Sequence, residues 1–105
     1  MIIQTIHSLS VPTRLTILEL LREGELTSSE IALHFSISAP AISQHLKVLV
    51  DSGLVDVRKE GTKRIYRIRR EGFSELREFI NQFWDDSLLR LKEAAEEEER
   101  KKNGE

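Results

Sequence analysis

The chain has 105 residues, enough for one hydrophobic core and too few for two. It contains no cysteine, which excludes disulfide frameworks and thiolate metal or redox sites, and no apolar run reaches the ~18 residues of a membrane-spanning helix. The net charge of −2 hides a sorted distribution: residues 1–35 carry −2, residues 36–70 carry +5 (eight basic, three acidic) and residues 71–105 carry −5, so the middle of the chain is expected to bind an anion.

Ile2, Ile3, Ile6 and Leu9 stand at helical spacing in a first helix too short to persist without packing. No basic stretch precedes an apolar one there, so no secretory leader is expected and the cytoplasm is the expected location. Ser10 is expected to cap a second helix, with Pro12 in its first turn, an apolar face at Leu15, Ile17, Leu18, Leu20 and Leu21, and Gly24 as its stop. Thr27-Ser28-Ser29-Glu30 has capping-box form and opens a short helix that buries Ile31, Ala32 and Phe35. After Ser36-Ile37, Ser38 is placed to cap a fourth helix, apolar at Ile42, Leu46, Leu49 and Val50, which ends near Asp51 with Gly53 beyond. Two helices so closely joined read as a helix-turn-helix.

Between Leu54 and Arg70 the period becomes two. Val55 and Val57 alternate with Asp56 and Arg58, Tyr66 and Ile68 with Arg67 and Arg69, and Lys59-Glu60-Gly61-Thr62 lies between, so a two-stranded hairpin is expected. Helical spacing returns after Gly72, where Phe73, Leu76, Ile80, Phe83, Trp84, Leu88 and Leu91 form one stripe. Glu96–Glu105 has no apolar residue and reads as a charged tail, frayed or disordered, leaving 1–95 as the domain. The expected fold is mainly α (α+β): a winged helix-turn-helix of four helices, a two-stranded β-hairpin wing and a long C-terminal dimerisation helix.

Chemistry is distributed over these elements as DNA recognition requires. Ser38, Ala39 and Pro40 open the fourth helix with small groups, and Ser43, Gln44 and Lys47 lie opposite its apolar face. Gln can pair bidentately with adenine, Ser bonds either way, an Ala methyl meets a thymine methyl, and Lys suits a phosphate. Arg58, Lys59, Lys63 and Arg64 flank the hairpin turn, within reach of the backbone or minor groove. His45 has two readings, a DNA contact or a structural bond across the helix-turn-helix. Arg14 likewise could serve the phosphate surface or a buried acid, while His7 and His34 read as surface or interface residues.

Pro12-Thr13-Arg14, Glu30-Ile31-Ala32, the run Ser38-Ala39-Pro40-Ala41-Ile42-Ser43-Gln44-His45-Leu46-Lys47, Gly53-Leu54-Val55 and the Arg58–Tyr66 wing resemble the arsenic-repressor (ArsR-type) family of winged-helix regulators. The likeness covers about Leu9 to Ile68 and supports the DNA reading of His45. It implies a homodimer whose recognition helices enter adjacent major grooves and which represses transcription until an inducer releases it. Members that sense metals carry two Cys at the start of the third helix, where this chain has Thr27 and Ser29. A second family site uses Asp and His on the last helix; here Glu78, Asp85 and Asp86 stand without a His. No metal and no cofactor are therefore expected.

The seam of that dimer is assigned to Ile2, Ile3 and Ile6 with Phe73, Leu76, Ile80, Phe83, Trp84, Leu88 and Leu91, because a long apolar stripe would be a liability in a monomer. No nucleophile–base–orienter arrangement or phosphate loop is present, so no enzyme is expected. The expected partners are double-stranded DNA as an imperfect palindrome, a second copy of the chain and a small-molecule inducer of unknown identity, without a membrane. Two alternatives stand beside this: a regulator with no small-molecule sensor, governed by a protein partner, and a protein-interaction module using the long last helix on a winged-helix scaffold.

Overall fold

The computed structural model describes residues 2–102, with the side chains of residues 85–88 outside the description. In chain order it has α1 (Ile2–Leu9), α2 (Pro12–Arg22), β1 (Leu26–Thr27), α3 (Ser28–Ala32), α4 (Ala39–Asp51), β2 (Val55–Glu60), β3 (Lys63–Ile68), a 3-10 turn at Arg70–Phe73 and α5 (Ser74–Lys102). Where composition marks off 1–95 and a tail, the chain divides into two compact units, Met1–Glu75 and Leu76–Glu105.

The first unit is built round Ile17, Leu21, Ile31, Ile42, Leu46, Leu49, Leu54, Val55 and Tyr66, so each of its longer elements except α1 contributes a buried side chain to the core. These are the positions that helical and strand periodicity select. Phe73, counted by spacing with the seam, packs instead against this core, because it lies in the 3-10 turn before α5 begins.

The sheet has three antiparallel strands in the order β1-β3-β2, not the two expected. Leu26 pairs with Tyr66 and Thr27 with Ile65, which satisfies the otherwise open edge of β3. Two residues carry no alternation to be read from sequence. The hairpin strands also run further than expected, to Glu60 and from Lys63, joined by Gly61-Thr62 alone. Gly61 has φ +62, the backbone that a two-residue turn of the primed type demands at its first central position.

Helix ends follow local chemistry with one correction. Val11, not Ser10, is the N-cap of α2; its hydrocarbon side chain has no acceptor to offer, and Pro12 removes one of the orphan donors that a cap would satisfy. Ser10 Oγ donates instead to the His7 carbonyl at 2.6 Å, closing α1. Thr27 and Glu30 form the expected capping box, and Ser38 Oγ accepts from Ala41 N at 3.3 Å. At the end of α4, Gly53 N donates to Val50 O and Leu54 N to Leu49 O, both at 3.0 Å, with Gly53 at φ +78: a complete Schellman motif.

While Leu9 packs against the core and Ile2 is half-buried, the polarity of α1 is reversed over its middle. It buries Thr5 and Ser8 and leaves Ile3 72% exposed and Ile6 open. Arg14 is buried, but neither reading above describes it: its Nε donates to the Ser8 carbonyl at 2.8 Å, satisfying an orphan acceptor at the end of α1. Ser52 Oγ donates to Val48 O at 2.8 Å, which leaves the Ser8 hydroxyl to donate to Ser52. Polar groups thus join α1 to the end of α4.

In the second unit, α5 continues to Lys102, through most of the charged run set apart as a tail. Ile80, Phe83, Trp84 and Leu91 of the apolar stripe are exposed, while Leu76 is half-buried. Phe79 and Phe83 meet edge to face with centroids 5.0 Å apart. The side chain of Leu88, another expected seam residue, lies outside the described residues. No described helix is long and apolar enough to cross a membrane.

Candidate nucleic-acid interface

Burial of Ile42, Leu46 and Leu49 fixes the roll of α4, so Ala39, Pro40, Ser43, Gln44 and Lys47 form an exposed stripe that Ser38 begins. His45 sits at the border of the two faces, half-buried, with no hydrogen bond or ion pair among the described residues. Lys47 Nζ pairs with Asp51 at 2.9 Å one turn on, but both are well exposed and such a pair exchanges readily for a phosphate.

Strand register sorts the wing. Val55, Val57 and Lys59 face the same way as their partners Ile68, Tyr66 and Arg64, while Asp56, Arg58 and Glu60 share the other face with Arg67, Ile65 and Lys63. The first face meets α4. Between them lies a groove of about 360 Å³ lined by Ser43, Gln44, Lys47, Val50, Val57, Arg64 and Tyr66.

The four cations expected to act together at the wing therefore separate. Arg58 is committed on the far face: its guanidinium grips Glu25 through Nη1 at 2.5 Å and Nη2 at 3.0 Å, and its Nε reaches Glu60 at 3.3 Å. The hydrogen bond from Arg58 holds the Glu25 carboxyl below the usual carboxylate range and raises the Arg58 pKa in turn. Arg67 pairs with Asp56, and Arg69 with Asp56 and Glu71. Among the described residues, Lys59, Lys63 and Arg64 at the wing tip make no ion pair, and Lys59 and Arg64 share the face turned toward α4.

Tyr66, Val57 and Val50 were not singled out as site residues from sequence. Alternation supplies the signal: two residues from Arg64 along β3, Tyr66 must share its face. Glu25 had no sequence signal, because its partner is 33 residues away.

At Thr27, which the resemblance sets against a metal-binding cysteine, the hydroxyl accepts from Glu30 N at 3.2 Å while Glu30 Oε1 takes the Thr27 N–H at 2.9 Å. These bonds, the backbone one foremost, lower the Glu30 pKa. A hydroxyl engaged in capping does not fit a metal ion that selects thiolates, and Ser29 beside it offers only another hydroxyl.

A family model described as bacterial regulatory protein, arsR family, matches residues 11–57. Over 77 residues the chain is 44% identical to the arsenical resistance operon repressor of Staphylococcus xylosus, covering 73% of this chain and 70% of that one. The chain belongs to the arsR family. Among solved structures, the ArsR family transcriptional regulator RHA00566 is 28% identical with a TM-score of 0.74, covering 80% of this chain and 87% of that one. The homodimeric winged helix-turn-helix DNA-binding domain of Mb0332 from Mycobacterium bovis is 32% identical with a TM-score of 0.65, covering 83% and 81%. This arsR-family chain is thus a winged helix-turn-helix.

Proposed function

We propose that this chain is a homodimeric, sequence-specific DNA-binding repressor of transcription, working in the cytoplasm and without catalytic activity. The observation that carries the reading is the shared groove, in which exposed base-reading side chains, Ser43 and Gln44, stand beside Arg64 of the wing. Ser38, Ala39, Pro40 and His45 complete the reading helix, and Lys47, Lys59, Lys63 and Arg64 take phosphates. Arg58 is left out of that set because its donors are engaged by Glu25 and Glu60.

Dimerisation draws support from the exposed isoleucines of α1 and the exposed stripe of α5, and from the homodimeric Mb0332 domain. Two-fold symmetry would place the reading helices ~34–36 Å apart on an imperfect palindrome. Thr27 and Ser29 argue for an inducer other than a metal ion, or for control by a protein partner.

Selection of bound sequences from random duplexes tests the reading. A two-fold symmetric consensus with half-sites about one turn apart is expected; recovery of no consensus at moderate salt would overturn it and favour the interaction-module alternative.

A further inference from the structure

The groove between α4 and the wing has a composition that a phosphate backbone does not use. Its floor is apolar: Val57 is 40% exposed within it, Val50 is half-buried, and Tyr66 is only 6% exposed. The Tyr66 hydroxyl makes no hydrogen bond among the described residues, and no buried polar side-chain atom is sealed without a partner among them, so this hydroxyl keeps access to solvent on a residue that lines the groove. Arg64, which makes no ion pair among the described residues, lines the same groove, as does Lys47, whose ammonium pairs with Asp51 at 2.9 Å. At about 360 Å³ the space falls within the range of small-molecule sites.

An apolar floor, a hydroxyl without a protein partner and the unpaired cation of Arg64 match a flat or branched hydrophobic body carrying one negative charge. We propose that this groove binds an amphiphilic monoanion, an aromatic carboxylate in its simplest form, and that the bound anion excludes DNA by occupying the space between reading helix and wing. The inference rests on the proposed DNA reading for its consequence, and on the groove alone for its site. The carboxylate pairs with Arg64 and accepts from the Tyr66 hydroxyl, while the hydrocarbon body covers Val57 and Val50. Ser43 and Gln44, which line the same groove, are then covered and cannot reach base edges.

The test uses the full chain and 2-naphthoate, titrated at ionic strength held constant with chloride and followed by amide chemical shifts. Saturable shifts at Val57, Arg64 and Tyr66 are expected, with neutral 2-naphthamide binding about fivefold more weakly. Tyr66→Phe and Arg64→Gln should each weaken naphthoate about fivefold or more, the first without loss of the core ring. Naphthoate should also raise the apparent Kd for a selected duplex in proportion to its concentration. Equal binding of the amide, shifts confined to α1 or α5, or a DNA Kd indifferent to saturating naphthoate would each overturn the inference. Selective DNA binding with no groove shifts would overturn it while leaving the DNA reading intact. Charge-selective groove shifts in a protein that selects no duplex would uphold the ligand site and remove the DNA reading.

Discussion

Lys59 and Arg64 stand directly opposite one another across the hairpin, two cations on one face with no acid paired to either among the described residues. Like charges in register destabilise a sheet by a few tenths of a kcal/mol up to about 1 kcal/mol. The neighbouring wing cations Arg58, Arg67 and Arg69 are all compensated by carboxylates. The uncompensated pair thus lies where an arriving phosphate would relieve it.

Replacing Lys59 or Arg64 with Ala should weaken binding to specific and random duplexes alike. Each should reduce the slope of log K against log salt by about one. Arg58→Ala should leave that slope nearly unchanged, because its guanidinium is held by Glu25. Anisotropy titrations across a salt series measure all three, and an Arg58 effect as large as that of Arg64 would contradict the sorting by register.

Gln44→Ala and Ser43→Ala should behave in the opposite way. Both side chains are exposed on the stripe of α4 proposed to read bases, and a bidentate base contact discriminates by about 1–3 kcal/mol. Discrimination between selected and random duplexes should fall by that amount for Gln44 with the salt slope retained. Equal losses on both duplexes would assign Gln44 to the backbone instead.

The Glu25–Arg58 pair gives a pH dependence with a defined sign. Arg58 lowers the Glu25 pKa in the folded chain, so the pair stabilises the fold above the unfolded carboxylate range and is lost as pH falls through the lower folded value. Thermal melts between pH 6 and 3 should show a decrement in the wild type that Glu25→Gln lacks. Because Glu25 is exposed the decrement is small, and parallel acid curves for the two proteins would remove the pair from the account.

These elements differ in how far the sequence exposes them. Caps at Thr27 and Ser38, the buried sides of α2 and α4 and the stripe on α4 all rest on contacts within four residues, which periodicity and side-chain chemistry encode directly. The two-residue β1, the Arg58–Glu25 fork and the Ser8–Ser52 bond depend on pairings that loop geometry alone decides. Alternation puts Arg58 and Arg64 on opposite faces of the hairpin only when the turn contains two residues, since a shift of one residue exchanges the faces.

Gly72 tests the packing of the 3-10 turn on the end of α4. A Cβ there would lie 1.9 Å from the Gly53 carbonyl oxygen and 3.2 Å from Leu54 Cα, both backbone atoms that cannot swing aside. Gly72→Ala should therefore destabilise by about 1–3 kcal/mol, as overpacking does, or several degrees in Tm. A Gly72→Ala melt no lower than that of the wild type would mean the turn shifts freely.

The reversed polarity of α1 bears on assembly. A helix that buries Thr5 and Ser8 and exposes Ile3 and Ile6 is wrongly oriented for an isolated domain, because each exposed isoleucine forgoes about 1.5–3 kcal/mol of burial. Its inner side is specified by polar bonds, Ser8 to Ser52 and Arg14 to the Ser8 carbonyl, which leave the apolar side outward by construction. On α5, Trp84 is open in the same way. If a second copy covers these faces, Ile3→Glu and Trp84→Glu should each shift sedimentation toward the monomer without lowering the helical content of the first unit. DNA affinity should then fall steeply through loss of the second half-site, while single half-site binding persists. Dimers that survive both substitutions would place the seam elsewhere.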